Sequence, residues 1–254
     1  MKFIDTHSHI YLPEFDADRD AVIERAIASG VEMMFLPNID IHSIDAMINA
    51  VEKYKGRCFP MLGLHPTSVK YDCMDQIEKM ESIFSHHKFI AIGEIGIDLY
   101  WDKKYFQEQI WAFKRQLSFA KEKNLPVSIH VRDSFPEVFS ILEESPKAVR
   151  GVVHAFSGTP EYAQKAVEMG FKIGMGGMVT FKNAGLEKVL ESVTPNDILL
   201  ETDSPYLAPT PFRGKRNESS YLTIINKKIS DVYGLKEEEV AEIAYRNSLE
   251  LFKL

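Results

Sequence analysis

Side chains of the kinds that hold divalent metals recur along the chain, and each stands near the end of a short apolar run. His7 and His9 follow residues 3–6, His65 ends 58–64, and Glu94 ends 89–95. His130 ends 127–131, His154 ends 151–155, and Asp203 follows 198–201. Imidazole nitrogens and carboxylate oxygens are the donors that suit zinc, manganese and similar ions. In an extended segment residues i and i+2 share a side, so His7 and His9 can reach one ion together. The set His7, His9, Glu94, His130, His154 and Asp203 exceeds the roughly three or four donors that one catalytic metal takes. That surplus suggests two ions with a carboxylate between them, and Glu94, a lone acid at the end of an apolar run, suits the bridge. The bland alternative is a hydrogen-bonded network of histidines and acids that only stabilises the region.

The elements that must position these groups follow from the pattern. Eight apolar runs, the six above with 31–37 and 171–174, alternate with amphipathic stretches. Several runs are apolar throughout, as in parallel strands buried on both faces. Helical patterns cover 18–28, with Gly30 as a stop, then 105–123, and after the last strand 221–232 and 236–252. Eight strands alternating with helices in 254 residues predict a (β/α)8 TIM barrel, one domain over 1–254. An open doubly wound sheet fits less well, because no Gly-rich phosphate loop follows the first strand. In a barrel the carboxyl ends of the strands share one mouth, which is where active sites are assembled. The stretch 204–220, with three prolines and three basic residues, reads as a long functional loop at that mouth. His42, His86 and His87 fall in or beside helical stretches and read as solvated.

Composition sets the outer limits. With 45% hydrophobic and 26% charged residues the chain is an ordinary globular one. A net charge of −7 argues against a nucleic-acid binder held by a basic surface, but not against an enzyme whose site carries divalent cations. Cys58 and Cys73 are too few for a disulfide framework and read as inert thiols in a reducing compartment. The opening MKFIDTHSHI has no apolar core of a signal peptide, and no long uncharged run could span a membrane. A cytoplasmic protein with no membrane association and no obligate protein partner is expected.

Motifs place these residues in a family. Asp5-Thr6-His7-Ser8-His9, Gly63-Leu64-His65-Pro66, Gly93-Glu94-Ile95-Gly96-Ile97-Asp98 and Glu201-Thr202-Asp203-Ser204-Pro205-Tyr206-Leu207 occur in order. Ile129-His130-Val131-Arg132 and His154-Ala155-Phe156-Ser157-Gly158 lie between them. The chain resembles the TatD-type metal-dependent deoxyribonucleases of the amidohydrolase-like barrel group, over essentially its whole length. The resemblance implies two divalent cations, magnesium, manganese or zinc. His7, His9 and Asp203 would hold one, His130 and His154 the other, with Glu94 bridging. It also implies DNA as substrate, single-stranded or at frayed ends. One departure stands in the late motif: Arg213-Gly214-Lys215-Arg216-Asn217-Glu218 is followed by Ser219, where the family has proline.

The groups around the centre allow more than one role. Arg132 and Arg213 are candidate phosphate contacts, and Lys215 and Arg216 could also approach the mouth, the bland alternative for 213–216 being a solvated charge run. His65 would bind a phosphate oxygen, move a proton, or simply cap its strand. Glu201 would support the site from behind or fill the barrel. Tyr100, Trp101 and Phe156 would stack on bases or pack the rim. Asp203 is the candidate proton acceptor, with Glu201 and His65 completing the catalytic set. An amide, lactone or phosphotriester hydrolase on the same barrel is the alternative, and Glu94 in place of a bridging lysine favours the nuclease. A non-enzymatic metal-binding protein is the other alternative.

Overall fold

The alternation of apolar runs and amphipathic stretches becomes an alternation of strands and helices in the structure, a computed structural model that describes residues 1–144 and 149–254. The strands are β1 (Phe3–Asp5), β2 (Val31–Pro37), β3 (Cys58–Leu62), β4 (Ala91–Asp98), β5 (Val127–Arg132), β6 (Gly151–Val153), β7 (Phe171–Met175) and β8 (Ile198–Leu200). Between them lie α1 (Arg19–Ala28), α2 (Ile44–Lys53), α3 (Cys73–Ile83), α4 (Phe106–Lys123), α5 (Phe135–Glu144), α6 (Pro160–Glu168) and α7 (Leu186–Glu191). The chain ends with α8 (Leu222–Tyr233) and α9 (Glu237–Phe252). Neighbouring strands are parallel and lie in chain order, as a (β/α)8 barrel requires. β8 returns to β1 at the mouth, where Thr6 N donates to Leu200 O (3.1 Å), Asp203 N to His7 O (2.9 Å) and His9 N to Ser204 O (2.8 Å).

Period-two geometry divides the strand residues into two sets. Ile4, Phe35, Met61, Ala91, Val152 and Leu199 cluster with Leu251 and Phe252 from the end of α9. The Phe35 and Phe252 rings meet at 4.6 Å, so the last turn of the chain packs on the strands' inward apolar residues. Their neighbours Phe3, Met34, Leu62, Ile92, Val153 and Ile198 belong instead to the larger core shared with the helices. Among the described residues, no helix is long and apolar enough to cross a membrane.

The main correction to the sequence reading concerns β4 and β5. β4 runs on to Asp98, so Glu94 lies within it rather than at its end, and His130 lies two residues before the end of β5. Pairing continues from Ile95↔Ile129 to Asp98↔Arg132 after a register shift between Ile92 and Ile95. Glycines permit that shift. A Cβ on Gly93 would stand 2.7 Å from Ser128 Cβ, and one on Gly96, at φ +148°, would stand 2.0 Å from His130 O. A glycine-broken run has low strand propensity, which is why its far half was illegible as strand.

Candidate metal centre

The centre is built around one buried carboxylate. Glu94 projects from β4 with its two oxygens facing different partners. Oε1 lies 2.7 Å from His130 Nδ1, 3.0 Å from His154 Nε2 and 3.1 Å from His65 Nε2. Oε2 lies 3.0 Å from His7 Nε2 and 3.8 Å from His9 Nε2. Asp203 completes the second side, its Oδ1 3.4 Å from His9 Nε2 and 3.8 Å from His7 Nε2. Asp203 takes a left-handed backbone (φ 57°) just past β8, and its side chain keeps 15% exposure toward the mouth. The rings of His7 and His154 stack at 3.6 Å across the middle. Among the described residues, three clusters of potential ligand atoms result: His7 with His9 and Glu94, His7 with His154 and Asp203, and His65 with Glu94 and His130.

Partners behind the rings decide which nitrogen has a free lone pair. Tyr11 donates its hydroxyl proton to Pro37 O (2.7 Å), so its oxygen accepts from His9 Nδ1 (3.2 Å). That places the proton on Nδ1 and leaves Nε2 of His9 facing the centre as an acceptor. Asp98 Oδ2 lies 3.0 Å from His130 Nε2, which fixes that proton and turns the Nδ1 lone pair inward. Glu201 Oε1 stands 3.3 Å from His154 Nδ1, an ion-pair contact without the geometry of a hydrogen bond. His7 Nδ1 meets Ser128 Oγ at 3.2 Å. His65 is reversed. The backbone N–H of Thr67 donates to its Nδ1 (3.1 Å), so Nε2 carries the proton of the neutral ring and donates to Glu94. On this ground His65 is a proton-bearing neighbour of the centre, whereas His9 and His130, in their neutral forms, present lone pairs.

The electrostatics agree with a cation-binding cluster. Burial works to raise the Glu94 carboxyl, but His154, His65 and His7, with the close contact to His130, hold it well below the usual carboxylate range. Asp203 is likewise held low against burial, chiefly by its close contact with His9 and by His154. His154 is driven well above the usual imidazole range, since Glu94 and Glu201 outweigh its burial, while burial and His154 lower His7. Charge on His154 therefore opposes protonation of the His7 ring stacked against it. Imidazoles aimed at shared carboxylate oxygens, with His9 and His130 held from behind at the outer nitrogen, are a donor set that fits divalent cations once the inward nitrogens give up their protons.

The remaining candidates fall in different places. Arg132 lines two cavities, of about 600 Å³ and about 490 Å³, that meet at His130, His154 and Asp203. Its guanidinium sits 4.2 Å over the Tyr100 ring. Glu201 is fully buried, and beside His154 it accepts the backbone N–H of Ala155. Arg213 stacks 4.6 Å over Phe181 and lines neither cavity. Arg216 is committed to Asp18 through two bonds of 2.7 Å and lies over Phe15. Phe156 is buried against Phe135, which decides its role as packing, while Trp101 is 70% exposed. Sequence reasoning did not single out Asp98, Ser128 and Tyr11 as orienting partners. Only Asp98 had a visible signal, as the acid closing the Gly93–Asp98 motif. It also missed Asp5, whose Oδ1 and Oδ2 accept from Thr202 N (2.9 Å) and Oγ1 (2.6 Å), tying the first motif to the last. Burial pushes the Asp5 carboxyl up to about 7 despite those bonds.

The chain as a whole is similar to known proteins. YabD of Bacillus subtilis, named a metal-dependent hydrolase, is 39% identical, with 98% of each chain covered. The protein of Pantoea ananatis named 3'-5' ssDNA/RNA exonuclease TatD is 30% identical over 95% of both chains. Among solved structures, the TatD homologue YjjV of Escherichia coli superposes with a TM-score of 0.92 at 30% identity, covering 99% of this chain and 98% of its own. The family described as TatD related DNase matches residues 4–253, nearly the whole barrel with every residue of the centre. This chain belongs to that family.

Proposed function

We propose that the protein is a metal-dependent phosphodiesterase that hydrolyses DNA, as single strands or at frayed ends, with two divalent cations per chain. The observation that carries this reading is the division of Glu94: one oxygen faces His130 and His154, the other His7 and His9. A carboxylate so placed suits a bridge, with His7, His9 and Asp203 on one side and His130 and His154 on the other. The relatives' names point the same way, since one is named a metal-dependent hydrolase and another a 3'-5' ssDNA/RNA exonuclease.

Cations held there would supply Lewis acidity, making a water acidic and offsetting charge on the phosphate oxygens. The protein's own groups do the rest. Asp203, ionised and open to the mouth, accepts the proton of the attacking water and returns it to the leaving oxygen as the P–O bond breaks. Arg132 is assigned the phosphate contact rather than Arg213, because it lines both cavities at the centre. His65, with its proton on Nε2, donates toward the same region. Glu201 holds His154 from behind and acts on the reaction only through that ring.

The test is elemental analysis and an activity panel on one preparation. Close to two divalent ions per chain are expected, and close to one after joint replacement of His130 and His154 by Ala. Single-stranded DNA should be cleaved in preference to duplex DNA, amides and lactones across magnesium, manganese and zinc. Faster turnover of a lactone or amide than of any phosphodiester would overturn the assignment of substrate.

A further inference from the structure

Large aromatic side chains that a folded chain leaves in water are informative when their backbones are fixed. Trp101 is 70% exposed and Tyr206 is 47% exposed, and both line the cavity of about 490 Å³ that holds Glu94 and Asp203. Trp101 follows β4 and Tyr206 follows β8. In an eight-stranded barrel these strands are four apart, so their loops face each other across the mouth.

Neither residue is on a loose loop. Asp98 Oδ1 accepts the backbone N–H groups of Tyr100 (3.0 Å) and Trp101 (3.1 Å), while its other oxygen holds His130. Tyr206 donates its backbone N–H to Asp203 O (2.8 Å) and accepts from Asn217 Nδ2 (2.7 Å). Each ring is therefore anchored, through its own main chain, to a residue of the centre. Trp101 meets Tyr100 edge-to-face at 5.0 Å, and the Arg132 guanidinium lies 5.9 Å from its ring centre. Tyr206 meets His9 edge-to-face at 6.1 Å.

We propose that Trp101 and Tyr206 are two base-stacking platforms, one on each side of the scissile phosphate, so that the smallest good substrate is a dinucleotide unit with both bases unpaired. The assignment rests on the phosphodiesterase function given above and adds to it the residues that read the strand. A base offers a stacking face to any aromatic ring, which gives affinity without sequence preference. In a duplex those faces are already covered by neighbouring base pairs, so two platforms on opposite rims admit only splayed, single-stranded nucleotides. Arg132, beside Trp101 and lining the same cavity, supplies positive charge for the phosphate between the two bases.

The test uses the full chain with its metals and two thymidine-series tetramers in which methylene replaces the bridging 3′ oxygen, so that neither is cleaved. One carries its bases and the other is abasic. In Trp111→Phe protein Trp101 is the sole tryptophan, and its fluorescence should be quenched by the base-bearing tetramer but not by the abasic one. Trp101→Ala and Tyr206→Ala should each raise the Kd of the base-bearing tetramer by about 5- to 150-fold, the range expected for one stacked base. The Kd of the abasic tetramer should move far less. Trp101→Phe and Tyr206→Phe keep a ring and should recover most of the affinity, which separates stacking from damage to the loops. Equal losses on both tetramers, or no rescue by Phe, would overturn the platforms. Cleavage of bis(p-nitrophenyl) phosphate by the unaltered protein, measured alongside, shows whether the phosphodiesterase reading survives such a result. Absence of that cleavage together with no binding of either tetramer would overturn both.

Discussion

The two ends of the barrel are made from the same strands and obey opposite rules. At the floor, inward positions carry Ile4, Phe35, Met61 and Leu199, covered by Leu251 and Phe252 from α9. A few residues further along the same chain segments stand His7, Glu94, Ser128, His130, Glu201 and Asp203. Every floor side chain is satisfied by packing alone. Of the mouth side chains His7, Glu94, Ser128 and Glu201 are as deeply buried, with His130 and Asp203 partly open, yet they are satisfied chiefly by one another, and burying carboxylates away from water costs several kcal/mol each unless they are paired. Stability is therefore expected to reside at the floor, and the capacity to bind cations and substrate at the mouth. Substitutions at the two ends should separate these properties.

The largest separation is expected from Asp203→Asn. The amide keeps the shape and one oxygen for coordination but cannot accept a proton from water at neutral pH. Turnover should fall by roughly 10² to 10⁴, the usual worth of a general base. Thermal stability should change little, because the side chain is at the open edge of the cluster. Turnover and metal content need to be read on the same preparation. Near-parental turnover with both ions present would exclude the proton role, and joint loss of ions and activity would make Asp203 a ligand before all else.

At the other end, Phe252→Ala removes the ring that packs on Phe35. Truncating a buried Phe costs about 3–5 kcal/mol. The lower end is expected here, since the last turn of α9 can relax into the space. Denaturant unfolding should show the loss, while turnover per folded molecule at low temperature should match the parent. A fall in the turnover of the folded fraction would show that floor and mouth are coupled after all.

Legibility in the sequence followed the same division. The barrel was readable because parallel strands buried on both faces leave continuous apolar runs, and helices such as α4 and α9 keep their periodicity to within a residue of the expected bounds. The candidate ligands were readable because a histidine or acid closing an apolar run has few bland explanations once it recurs around the chain. What could not be read depends on contacts between distant segments. Nothing local says that Tyr11 and Asp98 fix the protons of His9 and His130, or that Thr67 reverses His65. Nor does a run of basic residues reveal that Arg216 is spent on Asp18 while Arg132 lies at the cavity. The extension of β4 was hidden because its far half is shaped by Gly96 and pairing with β5, not by apolar periodicity.

The smallest of these effects, and the sharpest test of the division, concerns Asp98. It is buried and polar like the centre, yet both of its oxygens are already engaged by protein partners. One oxygen takes the His130 Nε2 proton and the other braces the main chain at Tyr100 and Trp101. The His130 contact and the Trp101 and Tyr100 amides keep its carboxyl below the usual range even though burial acts to raise it. Asp98→Asn retains the size and one acceptor oxygen, but a neutral amide polarises imidazole less and can present its NH₂ to Nε2, which would favour the wrong tautomer. Loss of such an orienting partner typically costs about 10- to 100-fold in metal affinity or activity. The deficit should fall on one of two ions, the one assigned to His130 and His154, and raising the metal concentration should recover most of the turnover. If both ions weaken equally, Asp98 acts on the whole mouth through its loop. If affinity is unchanged while the Kd for a single strand rises, its main role is to hold the Trp101 platform rather than His130.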